Sequence, residues 1–252
     1  MEQISNEVFS YFDFKKRNSS NEEILFICDH SSHQIPKKYN NLGLDEESIT
    51  SHIGFDIGSR QLTIQLTKQL KASCFLSNFS RLLIDPNRKV SDDDLILEES
   101  FGIKIPGNSK IKKEEKNQRI NRFHKKYHVA LNKIINKLAS KKKIYLIAIH
   151  SFTKKSQIFN RPNEIGLLWN NDISLLVPML KYLNSLNLNV GNNFPYSGHL
   201  YNYTLDFHSE ENKSPNLSIE IRNDLICNQK GINKWTRILK NSFENVLESR
   251  RK

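Results

Sequence analysis

The stretch "ILFICDHSSH", Ile24 to His33, is apolar for its first five residues and turns abruptly polar at Asp29 and His30. A short apolar run of this kind fits a strand buried on both faces, as in a parallel sheet covered by helices. Outward from it the same pattern recurs. "EILFIC" (23–28), "IYLIAIH" (144–150), "EIGLLWN" (164–170) and "NLSIEIR" (216–222) read as strands, and "SCFLSNFS" with "RLLID" (73–85) as further strand material. Helical spacing fills the intervals: within 46–72, clearest from Ile57 to Leu70, then at 173–186 and 231–250. Strand alternating with helix predicts an α/β fold around a largely parallel sheet. One domain is expected over 1–252, with an irregular loop or lid at about 90–115.

The chain has 252 residues, 37% of them hydrophobic and 10% aromatic, enough for a proper core and against global disorder. The net charge of +11 raises the question of nucleic acid. Much of it lies between Lys110 and Lys143, where Ile120, Phe123, Tyr127, Leu131, Ile134 and Leu138 mark one face of an amphipathic helix. The lysines then fall on the solvated face. No zinc-finger spacing or RNA-binding signature accompanies them, so no nucleic-acid partner is expected; a non-catalytic basic binding protein is the alternative class. Cys28, Cys74 and Cys227 have no CxxC spacing and are expected as buried small hydrophobes. No run approaches the roughly 20 apolar residues of a membrane span, and the first residues lack a secretory pattern. The expectation is a soluble, cytoplasmic protein with no membrane partner.

In open α/β sheets, ligands bind beyond the carboxyl ends of the strands. Asp29, His30 and Ser31 follow the first run; Asp85, Pro86, Asn87 and Arg88 follow "RLLI"; His150 and Ser151 end "IYLIAIHS"; Glu220 and Arg222 end "NLSIEIR". Two histidines and a carboxylate are what zinc takes, with an open position for water. A further glutamate can move that water's proton, and an arginine beside an asparagine can grip a substrate carboxylate.

The motifs "CDHSSHQIP", "HIGFDIG", "SRLLIDPNR", "IPGN", "IHSFT", "VGNNFPYSG" and "SIEIRNDLI" occur in an order that resembles the N-formylglutamate amidohydrolase family over residues 25 to 235. The resemblance is to a branch known by prediction rather than to the enzymes of histidine degradation themselves. It implies a three-layer α/β/α architecture similar to zinc carboxypeptidases and aspartoacylase. It also implies one zinc ion per chain, with Mn²⁺, Fe²⁺ or Co²⁺ as other occupants of the same ligands, and a small acidic substrate. In its terms His30 and His150 are metal ligands, and Asp56 is the preferred third over His33 and His52. Glu220 is the general base and acid, and Arg81 polarises the scissile carbonyl. Asn87 and Arg88 hold the substrate carboxylate, while Thr204, His208 and Ser151 line the pocket. For Asp56 the residues alone also allow a helix N-cap.

Overall fold

A computed structural model describes residues 2–15, 21–156 and 158–249. The run at 24–28 lies in strand β3 (Glu22–Cys28), near the middle of an eight-stranded sheet. The other strands of that sheet are β1 (Glu2–Ser5), β2 (Phe9–Asp13), β4 (Ser73–Ser77), β7 (Lys143–Phe152), β8 (Ile165–Leu168), β9 (Val190–Asn192) and β10 (Asn216–Arg222). Their order is β1-β2-β4-β3-β7-β10-β8-β9. Strands β4, β3, β7 and β10 are mutually parallel, so their carboxyl ends share one edge. Strands β2, β8 and β9 run against them, which makes the sheet mixed. A separate hairpin, β5 (Glu99–Ser100) with β6 (Ile103–Lys104), sits inside the irregular segment 90–115.

Helices are α1 (Glu46–Thr50), α2 (Ser59–Leu70), α3 (Lys113–Arg119), α4 (Lys125–Ala139), α5 (Leu176–Ser185), α6 (Gly198–Tyr201), α7 (Tyr203–Ser209) and α8 (Gln229–Ser249). Side chains alternate across the sheet, and each face has its own core. Phe26, Cys28, Ile147 and Ile219 pack with Leu62 of α2, Met179 of α5 and Trp235 of α8. Leu25, Ile27, Leu146 and Phe75 pack on the other face with Tyr127 and Leu131 of α4. The result is helix, sheet, helix in three layers. Between α3 and α4 the chain takes a π-helical turn, Ile120–His124. Phe123, Tyr127, Leu131, Ile134 and Leu138 are buried, as the sequence period requires. Among the described residues no helix is long and apolar enough to cross a membrane.

Two expectations need correction, and one element was not anticipated. "RLLID" is not a strand: residues 81–83 form a turn and 84–85 are irregular, although Leu82, Leu83 and Ile84 are buried. Side chains replace a neighbouring strand there, since Asn108 Nδ2 donates to the Leu82 carbonyl at 2.8 Å and Arg119 Nη1 to that of Leu83 at 3.1 Å. The "IPGN" motif thereby becomes a strut under the Arg81–Arg88 loop. Cys227 is exposed, unlike Cys28 and Cys74, because it follows the short 3₁₀ turn that leaves β10 for the surface. The edge hairpin β1–β2 had no anticipated counterpart; its first strand is exposed throughout and carries little apolar signal.

Candidate active site

The parallel strands deliver three side chains to one place. His30 follows the end of β3, and His150 lies near the end of β7. Glu220 is in register with His150 on the adjacent strand β10, so their side chains leave the sheet on the same face. Asp56 arrives from the turn before α2, where its amide donates to the His30 carbonyl at 2.9 Å. Gly58 makes that turn possible. It has φ +80, and a Cβ there would stand 2.2 Å from the Ile226 carbonyl oxygen. Gly58, not Asp56, is the helix N-cap. The Asp56 carboxylate instead turns inward, accepting from His150 Nδ1 at 2.9 Å and from the Ser151 amide at 3.3 Å.

One ligand atom from each of His30, Asp56 and His150 lies within 4.8 Å of the others, and all three residues are buried. Asp56 Oδ2 is 3.4 Å from His30 Nδ1 and 2.9 Å from His150 Nδ1. Donors around a tetrahedral ion with bonds of about 2.0–2.2 Å stand roughly 3.4 Å apart, so the set fits a divalent metal. The far nitrogens are backed by carboxylates, an arrangement that fixes ring orientation at metal centres. His30 Nε2 meets Asp85 Oδ1 at 2.8 Å, and His150 Nε2 faces Asp29 Oδ2 across a longer 3.5 Å. Asp29 Oδ1 is held by the Tyr127 hydroxyl at 2.7 Å and that of Thr204 at 3.1 Å.

Charge is arranged to match. Burial works against an imidazolium at His150, yet the Asp29 and Asp56 carboxylates hold its pKa well above the ordinary value. His30 is raised too, despite burial and Arg81, by Asp85 and Asp56. Against its burial, Asp56 is held well below the carboxylate range by His30 and His150. Glu220 differs: burial raises it to about 7, and its Oε2 is buried with no hydrogen-bond partner. A proton acceptor of that kind, within the field of His150 and His30, is what general acid–base work needs near neutral pH.

These residues line a cavity of about 260 Å³ together with Arg81, Asn87, Arg88 and Ser151. Arg81 Nη2 donates to Asp85 Oδ2 at 2.7 Å and its Nη1 to His30 Nδ1 at 3.3 Å, a bond an incoming metal would replace. Asn87 is largely engaged: its Oδ1 accepts from the Thr204 amide at 2.9 Å and its Nδ2 donates to the Tyr201 carbonyl at 3.2 Å. The Ser151 hydroxyl donates to the Ile57 carbonyl at 2.9 Å. Thr204 and His208 stand behind the wall rather than on it; His208 Nε2 meets His128 Nδ1 at 2.9 Å. Of the rival ligands, His52 lines the cavity and His33 lies outside it, beside Phe55 and Gln34. Sequence reasoning had Asp29 and Asp85 at strand ends without a role, and gave no role to Leu97 and Phe101 of the 90–115 loop, to Tyr196 within "VGNNFPYSG" or to Tyr201 at the end of α6, all of which reach the same wall.

The N-formylglutamate amidohydrolase family model matches residues 22–227. No curated protein matches the chain. Among solved structures, a gene product from Agrobacterium tumefaciens is similar at 29% identity and TM-score 0.92, over 98% of this chain and 97% of that one. The N-formylglutamate amidohydrolase from Ralstonia eutropha shares the fold at 18% identity and TM-score 0.67, over 98% of this chain and 99% of that one.

Proposed function

The chain belongs to the N-formylglutamate amidohydrolase family, and we propose on that premise that it is a zinc-dependent amidohydrolase cleaving the N-acyl amide of a small acidic substrate. N-formyl-L-glutamate, hydrolysed to formate and glutamate, is the first candidate the family name supplies. The observation that carries the reading is the convergence of buried His30, Asp56 and His150 beside the unpartnered Glu220 oxygen. A basic protein made only for nucleic-acid binding has no need of that convergence.

A zinc ion held by His30, Asp56 and His150 would supply Lewis-acid polarisation of the acyl carbonyl and a water that ionises near neutral pH. The chain's own residues do the rest. Glu220, poised at about 7, accepts a proton from the attacking water and returns it to the leaving nitrogen as the C–N bond breaks. Arg81 donates toward the carbonyl oxygen as negative charge develops there. Arg88 grips the substrate carboxylate and sets the carbonyl in reach.

The test is metal analysis of the protein purified without chelator, paired with formate release from N-formyl-L-glutamate. About one zinc per chain is expected, lost in His150→Ala. Protein that neither holds metal nor turns over substrate in added zinc would sink the reading. Metal without formate release would reject only this substrate.

A further inference from the structure

The motif "VGNNFPYSG" (190–198) folds into β9 and a tight loop that carries Tyr196 to the cavity wall. Both ends of the loop are tied to Trp169, just after β8. Asn193 Oδ1 accepts from the Trp169 amide at 2.9 Å and from the Gly198 amide at 3.0 Å, and its Nδ2 donates to the Trp169 carbonyl at 3.1 Å. The approach is too close for side chains. A Cβ on Gly166 would stand 2.2 Å from the Phe194 carbonyl oxygen, and one on Gly198 2.3 Å from that of Trp169. A loop fixed in this way presents its side chain preorganised.

What it presents is a hydroxyl without a hydrogen-bond partner among the described residues. Tyr196 shares the wall with Arg81, His30, His150 and Glu220. Burial first, and the Glu220 carboxylate second, hold its pKa above the ordinary phenol value, against Arg161 and Arg81. The hydroxyl therefore keeps its proton at neutral pH and is a donor. The other wall tyrosine serves Arg88: its ring lies 5.0 Å from that guanidinium and edge-on to Tyr196 at 6.0 Å. Behind Tyr196 stands Arg161, buried and without a carboxylate partner among the described residues. Its guanidinium lies 4.9 Å from the Tyr196 ring centre, its Nη1 donates to the Thr153 carbonyl and hydroxyl, and its Nε has no partner. A buried cation left without an anion is costly. Here it is attracted to the face of the phenol ring, and its charge makes the hydroxyl a better donor.

We propose that the Tyr196 hydroxyl is a catalytic donor to the acyl oxygen, sharing with Arg81 the negative charge that develops there when water adds. The inference rests on the amidohydrolase reading. As the water oxygen bonds to the acyl carbon, the π electrons of the carbonyl move onto its oxygen, and Tyr196 hydrogen-bonds to that oxygen without giving up its proton. Glu220 takes the water's proton. When the C–N bond breaks, the carbonyl re-forms and the nitrogen leaves as the amine with that proton.

The experiment compares wild type, Tyr196→Phe and Tyr196→Met, zinc-loaded, on N-formyl-L-glutamate. Tyr196→Phe removes only an oxygen that no described residue binds, so the same urea midpoint and zinc content are expected. Its kcat should fall about tenfold or more, toward the roughly 10²–10³-fold of a lost oxyanion donor. KM should stay within about twofold, the sign of an interaction made only in the transition state. Tyr196→Met should lose as much. Calorimetric affinity for N-phosphoryl-L-glutamate, whose tetrahedral phosphorus imitates the adduct, should weaken by the same factor as kcat, while free glutamate binds as before. The inference alone is overturned by a Tyr196→Phe kcat within about twofold of wild type, by a loss confined to KM, or by a loss in Tyr196→Met only, which would make the ring a packing element. Wild type that hydrolyses neither N-formyl-L-glutamate nor any other N-acyl amino acid overturns the amidohydrolase reading and this inference with it.

Discussion

Two groups of buried histidines lie within the same fold and prefer opposite charge states. His30 and His150, at the strand ends, are pushed up by carboxylates against the pull of burial. His128 and His208, between α4 and α7, are pulled down by burial to about 3 and about 4. What stands behind each ring makes the difference. His128 Nε2 meets the Pro86 carbonyl at 2.9 Å, and a carbonyl offers only an acceptor. A neutral His128 must then accept at Nδ1, so His208 Nε2 donates to it and His208 Nδ1 is left as a buried lone pair. One pair is electrostatically prepared for a cation and the other is a neutral brace. The brace is not remote: His128 and His124 hold the Pro86 and Arg88 carbonyls, on either side of Asn87.

The contrast can be attacked at Glu220 first, where the largest effect is expected. Glu220→Gln should lower kcat by roughly 10²–10⁴-fold, the usual contribution of a general acid–base group, and leave metal content intact. Unchanged turnover would remove Glu220 from its role. Next come the carboxylates behind the rings. Asp85→Asn should weaken metal binding about 10–100-fold in a chelator competition, as loss of such a partner does elsewhere. Asp29→Asn should cost less, because its contact with His150 is 3.5 Å against 2.8 Å for Asp85 and His30. An Asp29 effect equal to or above that of Asp85 would show that distance is not what ranks these supports.

Much of this site could be read from strand grammar alone. His30, His150 and Glu220 were found because apolar runs ended at them, and a parallel sheet puts such ends on one edge. Asp56 was harder, since its position before α2 also suits a cap; Gly58 takes the cap position, and the Asp56 carboxylate faces His30 and His150. The pairing of Asp29 with His150, and not with its neighbour His30, has no sequence signal, because it joins the turn after β3 to a different strand, β7. "RLLID" misled for a related reason. Its apolar run is buried, but Asn108 and Arg119 satisfy its carbonyls from 36 or fewer residues away instead of a strand. The aromatic wall comes from loops and the four-residue helix α6, whose placement depends on tertiary packing and on which periodicity carries nothing.

The neutral brace gives the smallest and most specific effect, in the pH dependence of stability. A free imidazole titrates near 6.5, whereas burial takes His128 to about 3. The folded chain therefore binds this proton more weakly than the unfolded chain. Its contribution to stability is whole above about pH 6.5 and is lost as the pH falls toward 3, at up to about 1.4 kcal/mol per pH unit. His128→Gln keeps an N–H for the Pro86 carbonyl but cannot take up the proton. It should start less stable at pH 7 and lose stability less steeply between pH 6 and 4, as measured by urea unfolding at each pH. His30 and His150 would contribute in the reverse direction, since a raised folded pKa favours the folded state at low pH and is lost as the pH rises. Parallel acid slopes for wild type and His128→Gln would mean that His128 titrates alike folded and unfolded, and the division into a charged pair and a neutral brace would fail.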